Sequence, residues 1–335
     1  MLSPVKSRAS SPRRIAAAVV LASVTAFTAA CGSGSDDAAS DSAATSTLRF
    51  GYVGGDTEFP PDEFGWGLST GLVQNTLAEH GIDSVEWTGF GTGPDLNESV
   101  LAGRIDVTSS GDTPALTARS AGGPTRLLSA PSGFDSIIVT TTSGPTDLAG
   151  LAGRKIAVVK GSTMHQYLVG ALNDANVDAE IININSTADS LAAAERGEVD
   201  AVATVPYLQV VNASLDSGFK VIDSAANHEG LGSLRVSTVT DDFLQGHSDV
   251  PQAYADARAA VIAQIDENPA AYYDWLAELT GSPREDVERL YPRSAINTES
   301  LNSGALEQLD RIKSFLVEEG LLRGDFDVDE WAVQS

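Results

Sequence analysis

The chain has 335 residues, with 46 Asp+Glu against 21 Lys+Arg and a formal charge of −25 at pH 7. That surface disfavours nucleic acid and anionic lipid headgroups as partners and favours solubility. With a single cysteine no disulfide can form within the chain, so stability must come from apolar cores. His80, His165, His228 and His247 are scattered without metal-ligand spacing, and neither a metal nor another cofactor is expected.

Lys6, Arg8, Arg13 and Arg14 precede IAAAVVLASVTAFTAA, a run too short and too weakly apolar for a good membrane span. Residues 1–30 therefore read as a signal peptide. Thr28-Ala29-Ala30-Cys31 resembles the lipobox of bacterial lipoproteins, with Thr28 in place of the usual leucine. The resemblance implies lipid on Cys31 and anchoring to the outer face of the cell membrane. SPRRIA lacks most of a twin-arginine pattern, so ordinary secretion is expected. Residues 31–46, CGSGSDDAASDSAATS, cannot bury a core and read as a flexible tether. Beyond the leader, 17 basic residues face 46 acidic ones, a net of −29.

The folded part is written twice. Arg49–Gly55 parallels Lys155–Gly161, each a short apolar strand stopping at glycine. Helical stretches follow at Trp66–His80 and Met164–Asn176, then strands VEWTGF and AEIINI, helices DLNESVLAG and ADSLAAAERG, and the motifs GRIDVTSSGDTP and GEVDAVATVP. Glu86 corresponds to Glu180 and Asp106 to Asp200 at one offset of 94 residues, so each half reads as βαβαβ. The first half is longer only around GDTEFPPDEFGW, a loop at a strand's carboxyl end, where open parallel sheets bind ligands. SIIVTTTSGPTDL (136–148) reads as a strand leaving the first half and SLRVSTV (233–239) as one returning. The expected fold is α/β and two-lobed, each lobe a mostly parallel sheet flanked by helices, with two hinge crossings. Residues 47–138 with 230–335 would form lobe I, on which the C-terminal helices pack, and 139–229 would form lobe II.

VEWTGFGTGPDLNESVLAGRIDVTSSGDTPALTARSAGG, DLAGLAGRKIAVVKGSTMHQYLVGAL and LAAAERGEVDAVATVPYLQ resemble the substrate-binding proteins of ABC importers for aliphatic sulfonates, taurine and nitrate. IKSFLVEEGLLRGDFDVDEWA looks like the same family's ending, so the resemblance covers nearly all of the chain from residue 47. It implies a type II periplasmic-binding fold closing on a small-molecule solute, with an ABC permease and its ATPase as partners, and a monomer. GDTPAL looks most like the aliphatic-sulfonate branch. Taurine, nitrate, thiamine-precursor-like or other organic solutes stay open, as does a sensory lipoprotein without transport. A pyrimidine synthase of thiamine biosynthesis resembles this family too, but would need catalytic histidines or cysteines in the cleft and a cytosolic address. The leader and Cys31 argue against it, and no enzyme is expected.

Gly103 and Gly197 would end helices, Ile105 and Val199 start buried strands, and Asp106 and Asp200 sit at their polar entrances as scaffold. The loops after these strands would face the cleft, with Ser110, Gly111, Asp112 and Thr113 from one lobe and Thr204 and Tyr207 from the other. Ser162 and Thr163 start a helix whose hydroxyls and backbone N–H groups suit an oxyanion, with His165 a neutral donor or a surface residue. Thr92, Gly93, Thr57 and Phe59 complete the expected ligand set. Asp56, Glu58 and Asp112 would equally suit an amine. Three motifs fail on context: GLSTG around Ser69 lacks the preceding strand of a nucleophile elbow, GFGTGP lacks the third glycine of a dinucleotide fingerprint, and DFDVDE has Glu330 where a calcium loop needs glycine.

Overall fold

The computed structural model describes residues 46–54 and 57–333; the leader, Cys31, nearly all of the tether and Asp56 lie outside the described residues. The first half runs β1 (Thr47–Val53), α1 (Glu63–Ser69), α2 (Leu72–Glu79), β2 (Ser84–Phe90), α3 (Gly93–Leu101), β3 (Val107–Gly111), α4 (Asp112–Ser120) and β4 (Thr125–Phe134). The second runs β5 (Ile137–Thr141), β6 (Lys155–Val158), α5 (Thr163–Asp174), β7 (Glu180–Asn183), α6 (Thr187–Glu195), β8 (Ala201–Thr204), α7 (Gln209–Ser217) and β9 (Phe219–Ser224). The chain then returns as β10 (Ser233–Thr240) and ends in helices α8 (Asp241–Gly246), α9 (Val250–Glu267), α10 (Pro269–Thr280), α11 (Arg284–Leu290), α12 (Ser303–Glu318) and α13 (Val328–Trp331).

Two five-stranded sheets result, ordered β2-β1-β3-β10-β4 and β7-β6-β8-β5-β9. In each, one crossing strand, β10 or β5, runs against the others and pairs antiparallel on both sides. The remaining strands point one way, so their carboxyl ends share an edge. The crossings are pinned together where Ala225 N donates to Ser136 O at 2.8 Å and Ser224 Oγ donates to Asp135 Oδ2 at 2.7 Å.

The repeated glycine-aspartate motif is a staple used twice. Gly103 and Gly197 take φ of 67° and 71°, a left-handed turn that ends the helix without a side-chain clash. Asp106 then accepts from Arg49 N at 2.9 Å and Arg49 Nε at 2.8 Å. Asp200 accepts from Lys155 N at 3.0 Å and Arg154 Nη1 at 2.7 Å. Each carboxylate ties the start of one strand to the start of its neighbour. The ladders begin at Val107 and Ala201, two residues later than Ile105 and Val199, because the aspartates take up the intervening backbone.

The helix expected over Trp66–His80 is broken in two. Gly71 sits at φ 78° while Thr70 N closes back onto Trp66 O at 3.0 Å, and α1 begins early because Asp62 Oδ1 caps Gly65 N at 3.0 Å. Ser69 ends α1 with its hydroxyl donating to Trp66 O at 2.8 Å, an ordinary helix-end bond. Alternation along β4 sends Leu128 to a core shared with α1, α2, α9 and α10, and Leu127 to one shared with α4, α12 and Trp331. The first sheet is thus covered on both faces, as a buried mostly parallel sheet must be. Ile137 and Ile138 divide the second sheet's two cores in the same way.

Candidate functional site

Because the parallel strands end together, the helices that follow them begin together. α3, α4, α5, α6 and α7 all start at one cavity of about 460 Å³, lined from the first sheet by Val53, Gly54, Thr57, Thr92, Gly93, Gly111, Pro114 and Phe134. The second sheet contributes Ser162 to Met164, Asn185 to Ala188, Val205 and Tyr207 to Val210, and the C-terminal helices add Leu279, Thr280 and Tyr291. Among the described residues, no lining side chain is a carboxylate, ammonium, guanidinium or imidazole. The polar capacity is hydroxyls, two side-chain amides and the unpaired N–H groups of helix first turns, which favour negative charge.

The capping hydroxyls differ in what they have left to give. A hydroxyl has one proton and two lone pairs. Thr92 Oγ1 accepts from Asp95 N at 3.2 Å and meets Asp95 Oδ2 at 2.7 Å, so its proton is engaged. Ser162 Oγ accepts from His165 N at 3.3 Å and donates to Val159 O at 2.6 Å. Ser186 Oγ accepts from Asp189 N at 3.2 Å, and among the described residues no acceptor takes its proton.

Of the residues singled out in the sequence, Thr57, Thr92, Gly93, Gly111, Ser162, Thr163 and Tyr207 line the cavity. Phe59 stands outside, stacked on Trp87 at 5.3 Å between ring centroids. Ser110 is buried with its hydroxyl donating to Gly111 O at 3.0 Å, and Thr204 is fully buried on β8, paired with β5. His165 is buried with Nδ1 facing Gly161 N at 3.4 Å; burial, then Lys160, lowers its pKa and keeps the ring neutral. Asp112 and Thr113 point inward. The fully buried Asp112 carboxylate accepts from Thr113 Oγ1 at 3.0 Å, Leu234 N at 2.7 Å and Thr163 Oγ1 at 3.2 Å. Burial pushes its pKa up to about 6, against the pull of the Leu234, Thr113 and Thr163 hydrogen bonds. The loop expected to face the cleft places Gly111 in the lining and clasps α5 through this carboxylate.

Sequence reasoning missed Asn185 to Ala188 although the signal was present: the offset of 94 residues carries Thr92 onto Ser186 and Gly93 onto Thr187. Phe134, Leu279, Thr280 and Tyr291 had no such signal, because β4 and the C-terminal helices stand outside the repeat. Behind the rings of Phe134, Tyr207 and Tyr291 lie two buried ion pairs, Arg235 with Asp62 at 3.6 Å and Arg258 with Glu63 at 3.2 Å.

The sequence model of the family described as "NMT1/THI5 like" matches residues 70–271. A protein of Escherichia coli (strain K12) named for binding aliphatic sulfonates is 29% identical over 212 residues, 59% of this chain and 63% of that protein, so the match spans less than two thirds of that relative. Among solved structures, the alkanesulfonate-binding protein SsuA from Xanthomonas axonopodis pv. citri bound to MOPS superposes with a TM-score of 0.69 at 21% identity, covering 87% of this chain and 99% of that one. The desulfurization enzyme DSZB superposes with a TM-score of 0.65 at 18% identity, covering 87% and 97%. These likenesses show the fold, that of the periplasmic binding proteins.

Proposed function

This chain belongs to the NMT1/THI5-like family, and on that premise we propose that it is the extracytoplasmic solute-binding component of an ABC importer, taking a small organic oxyanion, an aliphatic sulfonate first, and handing it to a permease. The observation that carries the reading is a cavity of about 460 Å³ where five helix N-termini meet with no charged side chain among the described lining residues. Such a site favours one negative charge and neutralises it with dipoles and N–H groups. Phe134, Tyr207, Leu208, Leu279 and Tyr291 offer an apolar wall for the organic part. The sulfonate head is received at the start of α6, by the Ser186 hydroxyl and the amides of Thr187 and Ala188. The solute-binding names of relatives support this choice over taurine or nitrate, whose small volumes would leave most of the cavity unfilled.

Residues 47–138 with 230–335 and residues 139–229 act as two lobes that close about the paired crossings. Catalysis on this fold, as in the desulfurization enzyme, is disfavoured because the described lining residues offer neither thiol nor imidazole. Export and anchoring through lipid on Cys31 complete the proposal. A Cys31→Ser chain is expected in the culture medium or unprocessed, and a processed, membrane-held mutant would refute the anchor. The solute is tested by thermal unfolding with alkanesulfonates, taurine, nitrate and thiamine precursors. A cognate ligand at 100 times its Kd adds about 2.7 kcal/mol, and stabilisation by amines or pyrimidines alone would refute the oxyanion reading.

A further inference from the structure

Two arginines are buried beneath the cavity, and they are not alike. Arg258 is braced on several sides: Nη2 donates to Asn297 O at 2.9 Å and Glu63 Oε1 at 3.2 Å, and Nη1 to Ser300 Oγ at 3.3 Å. Its donors are spent on the fold. Arg235, with 9% of its side chain exposed, has among the described residues one ion-pair partner, Asp62, at 3.6 Å, beyond good hydrogen-bond length, and the Tyr207 hydroxyl as its polar neighbour. The other oxygen of that carboxylate caps α1 through Gly65 N.

The sheet register aims Arg235 at the ligand side. It pairs with Gly111 on β3 and Ser132 on β4, beside an irregularity in the β10–β4 ladder, and directly opposed residues share a face. Gly111 lines the main cavity. Arg235 itself lines a second, smaller cavity of about 40 Å³ together with Asp62, Ser132, Tyr207 and Tyr291. Between the two cavities stand Phe134, Tyr207 and Tyr291, which line both; ring centroids lie 6.0 Å apart for Phe134–Tyr207 and 5.7 Å for Tyr207–Tyr291. The Arg235 guanidinium carbon sits 6.0 Å from the Phe134 centroid. The buried Tyr291 hydroxyl also has no hydrogen-bond partner among the described residues.

We propose that this pocket is a second subsite, in which Arg235 and Tyr291 receive an uncharged oxygen acceptor, a hydroxyl or carbonyl, at the far end of the solute. The inference rests on the oxyanion reading and extends it to a solute with two polar ends. Charge decides the class. Asp62 already balances Arg235, so a second carboxylate or sulfonate would set two buried anions against each other, whereas a neutral oxygen meets the donors without that repulsion. Size agrees, since about 40 Å³ holds on the order of three water-sized atoms and a sulfonate head is larger. Entry to this subsite requires the aromatic partition of Phe134, Tyr207 and Tyr291 to move, and side-chain rotation at an interface is common on binding.

The test is calorimetric titration with matched pairs, linear alkanesulfonates from propane to octane and their terminal hydroxy derivatives. The parent protein is expected to bind the hydroxy compound at least about tenfold tighter at one or more chain lengths, as a hydrogen bond to a charged donor provides. Arg235→Met combined with Asp62→Asn removes both charges together, so that neither is left buried alone, and Asn still caps a helix. In that protein the ratio within the pair should fall below about twofold, and in Tyr291→Phe it should shrink. Should alkanesulfonates bind with no hydroxyl preference at any length, or should the double variant keep the preference, the second subsite is refuted and the oxyanion reading stands. Should no alkanesulfonate bind at all, both fall.

Discussion

Thr163 Oγ1 donates to the buried Asp112 carboxylate at 3.2 Å, joining the first turn of α5, which follows the second sheet's β6, to the first residue of α4, which follows the first sheet's β3. Gly111 lies directly beneath this bond: a Cβ there would stand 2.1 Å from Thr163 Oγ1. Its φ of −72° is open to any residue, so the glycine is required by the neighbour and not by the backbone.

Gly111→Ala is therefore expected to hold α5 away from Asp112, to lower stability by about 1–3 kcal/mol, the usual cost of overpacking, and to weaken solute binding. Adding Thr163→Ala removes the clashing oxygen and leaves a Cβ contact of 3.3 Å, so the double mutant should bind better than Gly111→Ala alone. A double-mutant cycle by titration calorimetry checks this, and additive losses would contradict it.

The same carboxylate predicts a pH dependence. Burial raises the Asp112 pKa from 3.8 to about 6, so the folded state holds the proton more tightly than the unfolded chain. The stabilisation this gives is complete below the unfolded value and is lost as pH rises through the folded one, roughly 3 kcal/mol in all. Asp112→Asn lacks the titration, and its stability relative to the parent should improve by up to that amount between pH 4 and 7. Urea unfolding of both proteins across this range decides, and a difference independent of pH would count against it.

Thr113 was legible as a helix-start hydroxyl but not as an inward one. Its hydroxyl bonds Asp112, so Thr113→Ala is expected to lower stability by about 1 kcal/mol and leave solute affinity within about twofold. Denaturation and titration of the same preparation separate the two effects.

That residue shows where the sequence stops being informative. Strand and helix order, the glycine-aspartate staples and the edge holding the ligand follow from periodicity and from a repeat with constant offset, because both are local patterns. Which way Asp112 and the Thr113 hydroxyl bonded to it point depends on α5, and α5 meets them only once the two sheets face each other. The break at Gly71 is local but silent, since an isolated glycine within a helical run can be tolerated as well as end it. Phe134 and Tyr291 come to the cavity through tertiary packing alone.

Ser186 separates capping from recognition. Ser186→Ala and Ser162→Ala should each cost about 1 kcal/mol of stability as lost caps. Only Ser186 retains a proton for a solute, so Ser186→Ala should weaken sulfonate binding by a further 1–3 kcal/mol or so, while Ser162→Ala should track its stability loss. Equal losses of affinity in the two would show that neither hydroxyl is a ligand group.

An anionic head is expected where the helices begin, with no cationic side chain among the described lining residues. A crystal structure of the protein with octane-1-sulfonate tests it most directly. The sulfonate oxygens are expected within hydrogen-bond distance of the Ser186 hydroxyl and the Thr187 and Ala188 amides, with the chain running toward Phe134, Tyr207 and Tyr291. A sulfonate seated instead on an arginine or lysine, or outside the cavity where α3 to α7 begin, would contradict the account.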